Sequence, residues 1–309
     1  MRIEIDNLKK HFGKTKAVDG ISFSFESGDV FGFVGPNGAG KTTTLRILAT
    51  LDEVTDGDAR VDGKSITQYP ETVRRFVGFV PDALPSHRDI TVHEYLDVFA
   101  RAYGLDGSKR TRAVEGVEEF TKLTSFRHKT LNQLSKGMKQ RVSFGRALVH
   151  DPSVLIMDEP AAGLDPRARI ELRELVLALA RQKKAILISS HILTELAEMC
   201  NGVVIIEKGK LLQSGTIEDV SKQNTPFRTV AIRVLEKRHE LFKDILQMPF
   251  VEAAREEEHE IFVEFKGDDA AGSQMLAELI NRGYPIAEFR HMKKTLEEMF
   301  MSITKGEIA

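Results

Sequence analysis

The sequence predicts an α/β fold with a parallel central sheet, an inserted helical subdomain and a small α+β domain in the last third of the chain. Three observations support this prediction. Short apolar runs recur between helical patterns, a purely helical stretch interrupts them, and strands and helices of a second style follow. Continuous β-rich runs are typical of strands buried on both faces of a parallel sheet. We therefore expect residues 1–223 to form the first domain and residues 226–309 the second.

The apolar runs define the expected strands of the first domain. A glycine-rich segment follows Val30–Val34, and a helix is expected after it, over Thr43–Thr50. Between about residues 90 and 149 no comparable apolar run occurs, so a helical subdomain is predicted over about residues 83–150. The predicted strands are Val30–Val34, Val77–Val80, Val154–Met157, Ala185–Ser190 and Val203–Ile206.

The second domain is predicted after a boundary near Gln223–Pro226. Its pattern gives the order β-α-β-β-α-β, which suggests a small split βαβ sandwich. The charged run Arg255–Glu258 is expected to be the solvated tip of the hairpin between the two middle strands, in preference to a cation site. The predicted elements are strands at 229–234, 250–254, 261–265 and 285–291, and helices near 241–246, at 270–281 and from 295 onward.

Composition limits the classes of protein to consider. The chain has 309 residues, of which 41% are hydrophobic and 29% charged, and its formal net charge is −2. These values are ordinary for a soluble globular protein and give no overall field that attracts nucleic acid. A single cysteine, Cys200, excludes an internal disulfide. Met1–Asp6 lacks the apolar core of a signal peptide, and no apolar run approaches the roughly 20 residues of a membrane helix. We expect a cytoplasmic protein that does not itself cross a membrane.

The segment between the strand Val30–Val34 and the following helix has the form of a phosphate-binding loop. Its glycines let the backbone approach phosphates, and the N–H groups at the start of the helix face them. Lys41 is expected to contact the β- and γ-phosphates, and the Thr42 hydroxyl to bind Mg²⁺. The segment therefore predicts a nucleoside triphosphate site. Its residues are Gly35, Pro36, Asn37, Gly38, Ala39, Gly40, Lys41 and Thr42, with Thr43 beside them.

Two carboxylates follow the apolar strand Val154–Met157, in the manner of a Walker B motif. They emerge at the C-terminal end of a buried strand, which places them beside the phosphate-binding loop. Asp158 is predicted to hold Mg²⁺ through its water shell, and Glu159 to polarise an attacking water as the general base. An acid pair after a strand is a weak motif alone. Together with the phosphate-binding loop, it predicts that the nucleotide is hydrolysed.

A third segment resembles the signature of a known family. Leu134–Gln140 resembles the LSGGQ motif of ATP-binding cassette (ABC) ATPases, with Lys136 in place of the first glycine and Met138 in place of the final glutamine. Ser135 and Gly137 are retained, and the resemblance implies that they contact the γ-phosphate of an ATP held by another cassette. In isolation, Ser135 is at least as consistent with an ordinary helix N-cap.

The resemblance covers about residues 1–221 and implies a P-loop NTPase core of the ABC ATPase type. It also implies roles for three further residues. Ala162–Asp165 resembles the D-loop, which crosses between two cassettes, and Asp165 is its usual acid. His191 resembles the switch histidine that contacts the γ-phosphate and orders the catalytic water, and Phe12 resembles the aromatic on which adenine stacks. Without this context, a lone histidine is more often a surface residue and an aromatic at a strand end more often belongs to the core.

One position departs from the family pattern. The Q-loop glutamine, which ligates Mg²⁺ and follows the membrane partner, is expected after Val77–Pro81, and this chain has Asp82 there. A carboxylate still ligates Mg²⁺, and exporter-type cassettes often carry an acid at this position. Asp82 is therefore predicted to be a metal ligand. His87 and Arg88 are expected to lie in a solvated loop, with a partner contact as the alternative.

The resemblance implies the ATPase subunit of an ABC exporter that serves a separately encoded, multi-spanning membrane permease. Two copies of this chain, or one copy and a paralogous cassette, would close head to tail on ATP. Residues 82–103 would pass the movement to the permease at the inner face of the cell membrane. No nucleic-acid partner is expected. The second domain resembles the accessory domain of drug, sodium and polysaccharide exporters. An importer subunit and a soluble ABC ATPase acting on ribosomes, DNA or iron–sulfur assembly are the alternatives.

Overall fold

The computed structural model describes residues 1–84, 89–223, 227–292 and 295–303. The chain divides into two compact units, Met1–Glu218 and Asp219–Ser302. His87, Arg88 and residues 224–226 of the predicted boundary lie outside the described residues.

The secondary structure alternates between strands and helices along most of the chain. The strands are β1 (Arg2–Phe12), β2 (Thr15–Glu26), β3 (Val30–Val34), β4 (Asp56–Val61), β5 (Lys64–Ser65), β6 (Val77–Val80), β7 (Val154–Met157), β8 (Ala185–Ser189), β9 (Gly202–Glu207), β10 (Lys210–Thr216), β11 (Arg228–Val234), β12 (Val251–Glu257), β13 (Glu260–Phe265) and β14 (Ile286–Met292). The helices are α1 (Lys41–Leu48), α2 (Pro70–Phe76), α3 (Val92–Ala102), α4 (Gly107–Phe120), α5 (Lys136–Leu148), α6 (Pro166–Arg181), α7 (Leu193–Ala197), α8 (Ile217–Gln223), α9 (Arg238–Leu246), α10 (Asp269–Asn281) and α11 (Leu296–Ile303).

The central sheet of the first unit has the strand order β10-β9-β3-β8-β7-β6. The five strands from β9 to β6 run parallel, and β10 is an antiparallel edge strand. Every residue of β3, β7 and β8 is buried, as the continuous apolar runs predict. The α/β fold class is confirmed. Because β3, β8 and β7 are neighbours, the segments that follow them meet at one edge of the sheet.

A second, antiparallel sheet of order β2-β1-β4-β5 packs against the first. Phe23 and Phe25 of β2 contact Phe33 and Phe31 of β3, with 5.8 Å between ring centroids in both pairs. These rings are buried in one continuous apolar core that also includes Leu45 of α1. The start of α1 is thereby held in place beneath the phosphate-binding loop.

The predicted helical subdomain consists of α3, α4 and α5. Its core contains Leu96, Val114, Leu123 and Val142, all almost fully buried. A capping box starts α3, because Thr91 accepts a hydrogen bond from the backbone of its third helical residue, whose side chain returns one. None of the described helices is long and apolar enough to span a membrane.

The second unit contains a sheet of order β12-β13-β11-β14 in which all neighbours are antiparallel. Helices α9 and α10 contribute Leu241, Ile245 and Met275 to its buried core. The predicted hairpin tip is wrong in extent, since residues 255–257 continue β12 and only residues 258 and 259 form the turn. The charged run is held in β12 by backbone pairing with the neighbouring strand. Its alternate side chains face the two sides of the sheet, so charged residues are compatible with that pairing.

Candidate functional site

The phosphate-binding loop joins β3 to α1, and its glycines are required by the space around them. A Cβ atom at Gly35 would lie 2.4 Å from the carbonyl oxygen of Ile206. Gly40 has φ +102°, and a Cβ there would lie 2.2 Å from the carbonyl oxygen of Ala17. Gly38 has φ +78° and is exposed. The loop therefore adopts a backbone conformation that side chains at these positions would disturb.

Lys41 opens α1 with its ammonium group inside the loop. Its Nζ donates to the carbonyl oxygens of Gly35 at 2.7 Å and Pro36 at 3.3 Å. Burial lowers the pKa of Lys41, and the nearby carboxylates of Glu159 and Asp158 oppose that shift. A cation held this way by neutral carbonyls is well placed to gain from an arriving anion.

The remaining predicted loop residues surround this cation. Pro36 and Asn37 are exposed, and Ala39 is buried with its N–H donating to the Pro36 carbonyl at 3.1 Å. Thr42 is exposed and Thr43 is half-buried in the first turn of α1. The helix starts at Lys41, two residues earlier than predicted. The Thr42 hydroxyl is thus accessible to a metal ion.

The two carboxylates after β7 are connected through one serine of β8. Asp158 is 5% exposed and accepts a hydrogen bond from Ser189 Oγ at 2.8 Å. The same hydroxyl accepts from the Glu159 N–H at 2.9 Å. Glu159 has φ +47°, an uncommon conformation for a residue with a side chain. Such strain is frequent at functional sites, where the surrounding structure maintains it.

His191 and Glu159, the predicted catalytic residues, lie in direct contact. Nδ1 of His191 is 2.7 Å from Oε2 of Glu159, and the His191 N–H donates to the same oxygen at 3.3 Å. The side chain of Glu159 is 19% exposed and that of His191 is 56% exposed. The structure therefore combines a shielded carboxylate with an accessible imidazole, next to Asp158 and Lys41.

The signature segment overlaps the first turn of α5, and the D-loop segment ends at the N-terminus of α6. Ser135 caps α5 by accepting from the Met138 N–H at 3.3 Å, and Asp165 caps α6 by accepting from the Ala168 N–H at 2.9 Å. The ordinary N-cap role of Ser135 is thus present. Among the described residues, the side-chain hydrogen bonds of Ser135 and Asp165 stay within these helix starts, and none reaches Lys41.

The two helix starts lie side by side. A Cβ atom at Gly137 would lie 3.7 Å from the Ala168 Cβ, an ordinary contact. The ammonium group of Lys136 is 2.5 Å from the position that a Cβ of Gly163 would occupy. Lys136, one of the two residues that depart from the family signature, therefore packs on the D-loop segment of its own chain.

Phe12 and Asp82, the two remaining predicted site residues, are both exposed. The Phe12 side chain ends β1, is 55% exposed, and has the Lys10 ammonium 5.0 Å from its ring centroid. Asp82 is exposed and follows β6 by two residues. No cluster of three or more histidine, cysteine or acidic residues suited to a metal occurs in the described part of the chain.

Three residues around the site were not predicted as site residues. Ser189 was assigned only to a strand, although its place at the end of the strand next to the acid pair is a usable indication. Arg169, which contacts the Leu164 carbonyl, and its partner Glu195 carry no motif that distinguishes them from surface charges. They become visible only when α6 and α7 are seen together.

The chain is similar in sequence and structure to several known proteins. The family profile described as ABC transporter matches residues 18–162. The chain is 30% identical to Nod factor export ATP-binding protein I of Ralstonia nicotianae over 99% of its length and 94% of that protein. It is 41% identical to the protein of the same name from Paraburkholderia xenovorans, over 69% of this chain and 70% of the relative.

One further relative is similar over nearly the full chain, and one solved structure is similar in fold. Linearmycin resistance ATP-binding protein LnrL of Bacillus subtilis is 30% identical over 98% of both chains. A solved ATP-binding subunit of an ABC transporter is 30% identical, with a TM-score of 0.66 over 72% of this chain and 93% of that one. The chain belongs to the family of ABC transporter ATP-binding subunits, which bind and hydrolyse ATP.

Proposed function

We propose that this chain powers export through a separate membrane permease, with hydrolysis carried out at the contact between Glu159 and His191. That contact, beside Asp158 and Lys41, is the observation that supports the assignment of roles. Glu159 accepts a proton from the attacking water. Nδ1 of His191 contacts Glu159 and holds it in position. The exposed edge of the His191 imidazole is then free to contact the γ-phosphate.

The nucleotide is held by the loop before α1. Lys41 exchanges its bonds to loop carbonyls for the β- and γ-phosphates, and Phe12 supplies an exposed ring for adenine. Mg²⁺ fits the donor set, because Thr42 offers an accessible hydroxyl and Asp158 has one carboxylate oxygen not bonded to Ser189. Mg²⁺ keeps several waters and takes phosphate ligands, so a few protein oxygens suffice. When bound, it neutralises charge on the phosphates; Asp82 is a further proposed ligand.

The second half of each site comes from another cassette. ABC ATPases work as dimers with membrane permease partners. Ser135, Gly137 and Asp165 form a separate surface made of two adjacent helix N-termini, which attract anions. We assign this surface to the γ-phosphate of the ATP that a second copy, or a paralogous cassette, holds. Binding to the permease would place the chain at the cytoplasmic face of the membrane.

The direction of transport is proposed from the relatives and from one residue. The named relatives are a Nod factor export protein and a linearmycin resistance protein. Asp82, in place of the usual glutamine, supports the same exporter branch. The permease determines which substrate is transported. None of the described helices of this chain could span a membrane as those of a permease do.

The substitution Glu159→Gln tests the assignment of the general base. It should lower kcat by about 100-fold or more while ATP still binds. With ATP and Mg²⁺ the variant should elute as a stable dimer in size-exclusion chromatography. Glu115→Gln, an exposed change on α4, serves as the control. Hydrolysis by the Glu159 variant at the wild-type rate would show that another group is the base.

Purification of the chain from membranes tests the transport role, and a permease should be recovered with it. Recovery of ribosomes or DNA in place of a permease would contradict that role.

A further inference from the structure

Two arginine–glutamate pairs join α6 to α7. Arg169 Nη1 lies 2.8 Å from Glu195 Oε1, and one turn further along α6 Arg173 pairs with Glu198, the residue that follows α7. Helix α6 follows the D-loop segment, and α7 starts two residues after His191. The pairs therefore connect the elements that follow two different parts of the candidate site.

The first pair has a contact that the second lacks. Arg169 Nε donates to the carbonyl oxygen of Leu164 at 3.0 Å. Leu164 is the residue before Asp165, so one guanidinium group holds both the D-loop backbone and the carboxylate of Glu195. The planar, forked guanidinium is suited to two simultaneous contacts of this kind.

Glu195 is enclosed on the other side. Its side chain is 13% exposed, and both carboxylate oxygens are shielded from solvent. The pKa of Glu195 is raised by burial and by the nearby carboxylates of Glu159 and Glu198, and Arg169 and His191 only partly oppose this shift. A buried carboxylate that loses its cation is strongly destabilised, so the position of Glu195 depends on that of Arg169. By contrast, the side chain of Glu198 is 59% exposed.

We propose that Arg169 and Glu195 are positioning residues that couple the His191 segment to the D-loop of the same chain. The inference rests on the proposed function, in which His191 meets the γ-phosphate and Asp165 lies at the surface facing the second cassette. A displacement of α7 when His191 engages the phosphate moves Glu195. Arg169 transmits this displacement to the carbonyl of Leu164, and the dimer surface responds to the state of the nucleotide.

The matched experiment compares Arg169→Gln with Arg173→Gln in the purified full chain. Arg169→Gln should lower kcat about 10- to 100-fold with KM for ATP within about 2-fold, because a displaced D-loop misaligns the site without affecting the phosphate loop. Its dependence of rate on ATP concentration should lose cooperativity. Arg173→Gln should retain the wild-type kcat and cooperativity. Equal effects of the two substitutions would overturn the proposal.

Two more variants separate positioning from folding. Glu195→Gln removes the charge with little change in shape and should reproduce the kcat loss, even if Arg169→Gln does not fold. Arg169→Lys keeps a cation for Glu195 but lacks the second nitrogen for Leu164, so it should restore thermal stability and not kcat. Full recovery of kcat by the lysine would contradict the coupling to the D-loop.

His191→Ala, measured in the same assay, distinguishes a wrong role for His191 from a wrong coupling through Arg169. If it hydrolyses ATP at the wild-type rate, the proposed role of His191 is wrong, whatever Arg169 does. If it is inactive and Arg169→Gln matches Arg173→Gln, the site assignment stands and the coupling alone is rejected.

Discussion

Ser189 shows how a single hydroxyl can determine the geometry of the acid pair. It donates to Asp158 and accepts from the N–H of Glu159, so it orients the proposed metal ligand and the proposed base together. The second bond also stabilises the positive φ of Glu159, which an unrestrained chain would avoid. The contact with Asp158 is buried and the contact with Glu159 is partly buried, so losing the serine hydroxyl leaves shielded polar groups unsatisfied.

We predict that Ser189→Ala lowers both stability and activity. The free energy of unfolding should fall by about 1–3 kcal/mol, since Asp158 and the Glu159 N–H each lose a buried partner. Urea unfolding and steady-state ATPase rates measure the two effects. Ser143→Ala is the matched control, because Ser143 is fully buried and its hydroxyl has no hydrogen-bond partner among the described residues. A similar loss in both variants would show that Ser189 acts only through packing.

His150 predicts a specific dependence of stability on pH. Burial lowers the pKa of His150 from 6.5 to about 4, where its ring stacks on Tyr103 and contacts the Val77 carbonyl. Between about pH 6.5 and about pH 4, His150 is therefore protonated in the unfolded chain and neutral in the native chain. The free energy of unfolding falls as the pH drops through this range. By about pH 4 the loss attributable to this group is about 3 kcal/mol.

His150→Gln should remove that dependence. Loss of the stacked ring destabilises the variant at pH 8, but its unfolding free energy should then decline less steeply than that of the wild type toward pH 5. Parallel curves for the two proteins in urea titrations would mean that His150 titrates normally in the native state.

The site residues that could be predicted from the sequence are those whose chemistry requires a local pattern. A phosphate-binding loop needs glycines at fixed spacing beside a lysine, and Gly35 and Gly40 indeed have no room for a side chain. Ser189 and Arg169 follow no such spacing. Their contacts depend on which strands and helices become neighbours, and that information is distributed over the whole fold.

At the scale of elements, α5 is attached to β6 along its last turn. Arg146 donates to the Phe79 carbonyl at 2.9 Å, and a Cβ atom on Gly78 would lie 2.4 Å from the Ala147 carbonyl oxygen. The N-terminus of this helix carries Ser135. A rigid helix thus connects the signature end to the strand that leads to Asp82.

Gly78→Ala should disrupt this attachment. We expect a loss of about 1–3 kcal/mol in unfolding free energy, because the added methyl group forces β6 and α5 apart. Gly116→Ala makes the same chemical change on the exposed face of α4, with nothing within 4 Å, and should stabilise the chain by about 0.5–1 kcal/mol. Thermal unfolding of the two variants provides the comparison, and shifts of the same sign would contradict the packing argument for Gly78.

The elements themselves were predictable to different degrees. The buried strands of the parallel sheet have continuous apolar runs and were recognised. The antiparallel sheet of β1, β2, β4 and β5 was not predicted, because its strands alternate apolar and polar residues and include bulges in the pairing of β1. The same period of two concealed how far β12 extends into its charged run, since charged residues are compatible with the exposed face of a strand.

At the scale of the whole molecule, the proposed catalytic surface is divided into two halves. Lys41, Asp158, Glu159 and His191 form one half at the edge of the parallel sheet. Ser135 and its neighbours form the other at two helix starts, without a hydrogen bond between Ser135 and Lys41 in the described chain. A head-to-tail pair of chains would build two complete sites from these halves, which symmetry makes equivalent.

This arrangement predicts that two inactive variants recover activity when mixed. Lys41→Ala removes the phosphate cation, and Ser135→Asp keeps a good N-cap while placing a negative charge against the γ-phosphate. Equal mixing gives about half mixed dimers, each with one intact site, so at most about a quarter of the wild-type rate should return. Mixing Lys41→Ala with Glu159→Gln, two changes in the same half, restores no intact site and is the control. If the first mixture stays inactive, or the control recovers equally, the two halves do not come from different chains.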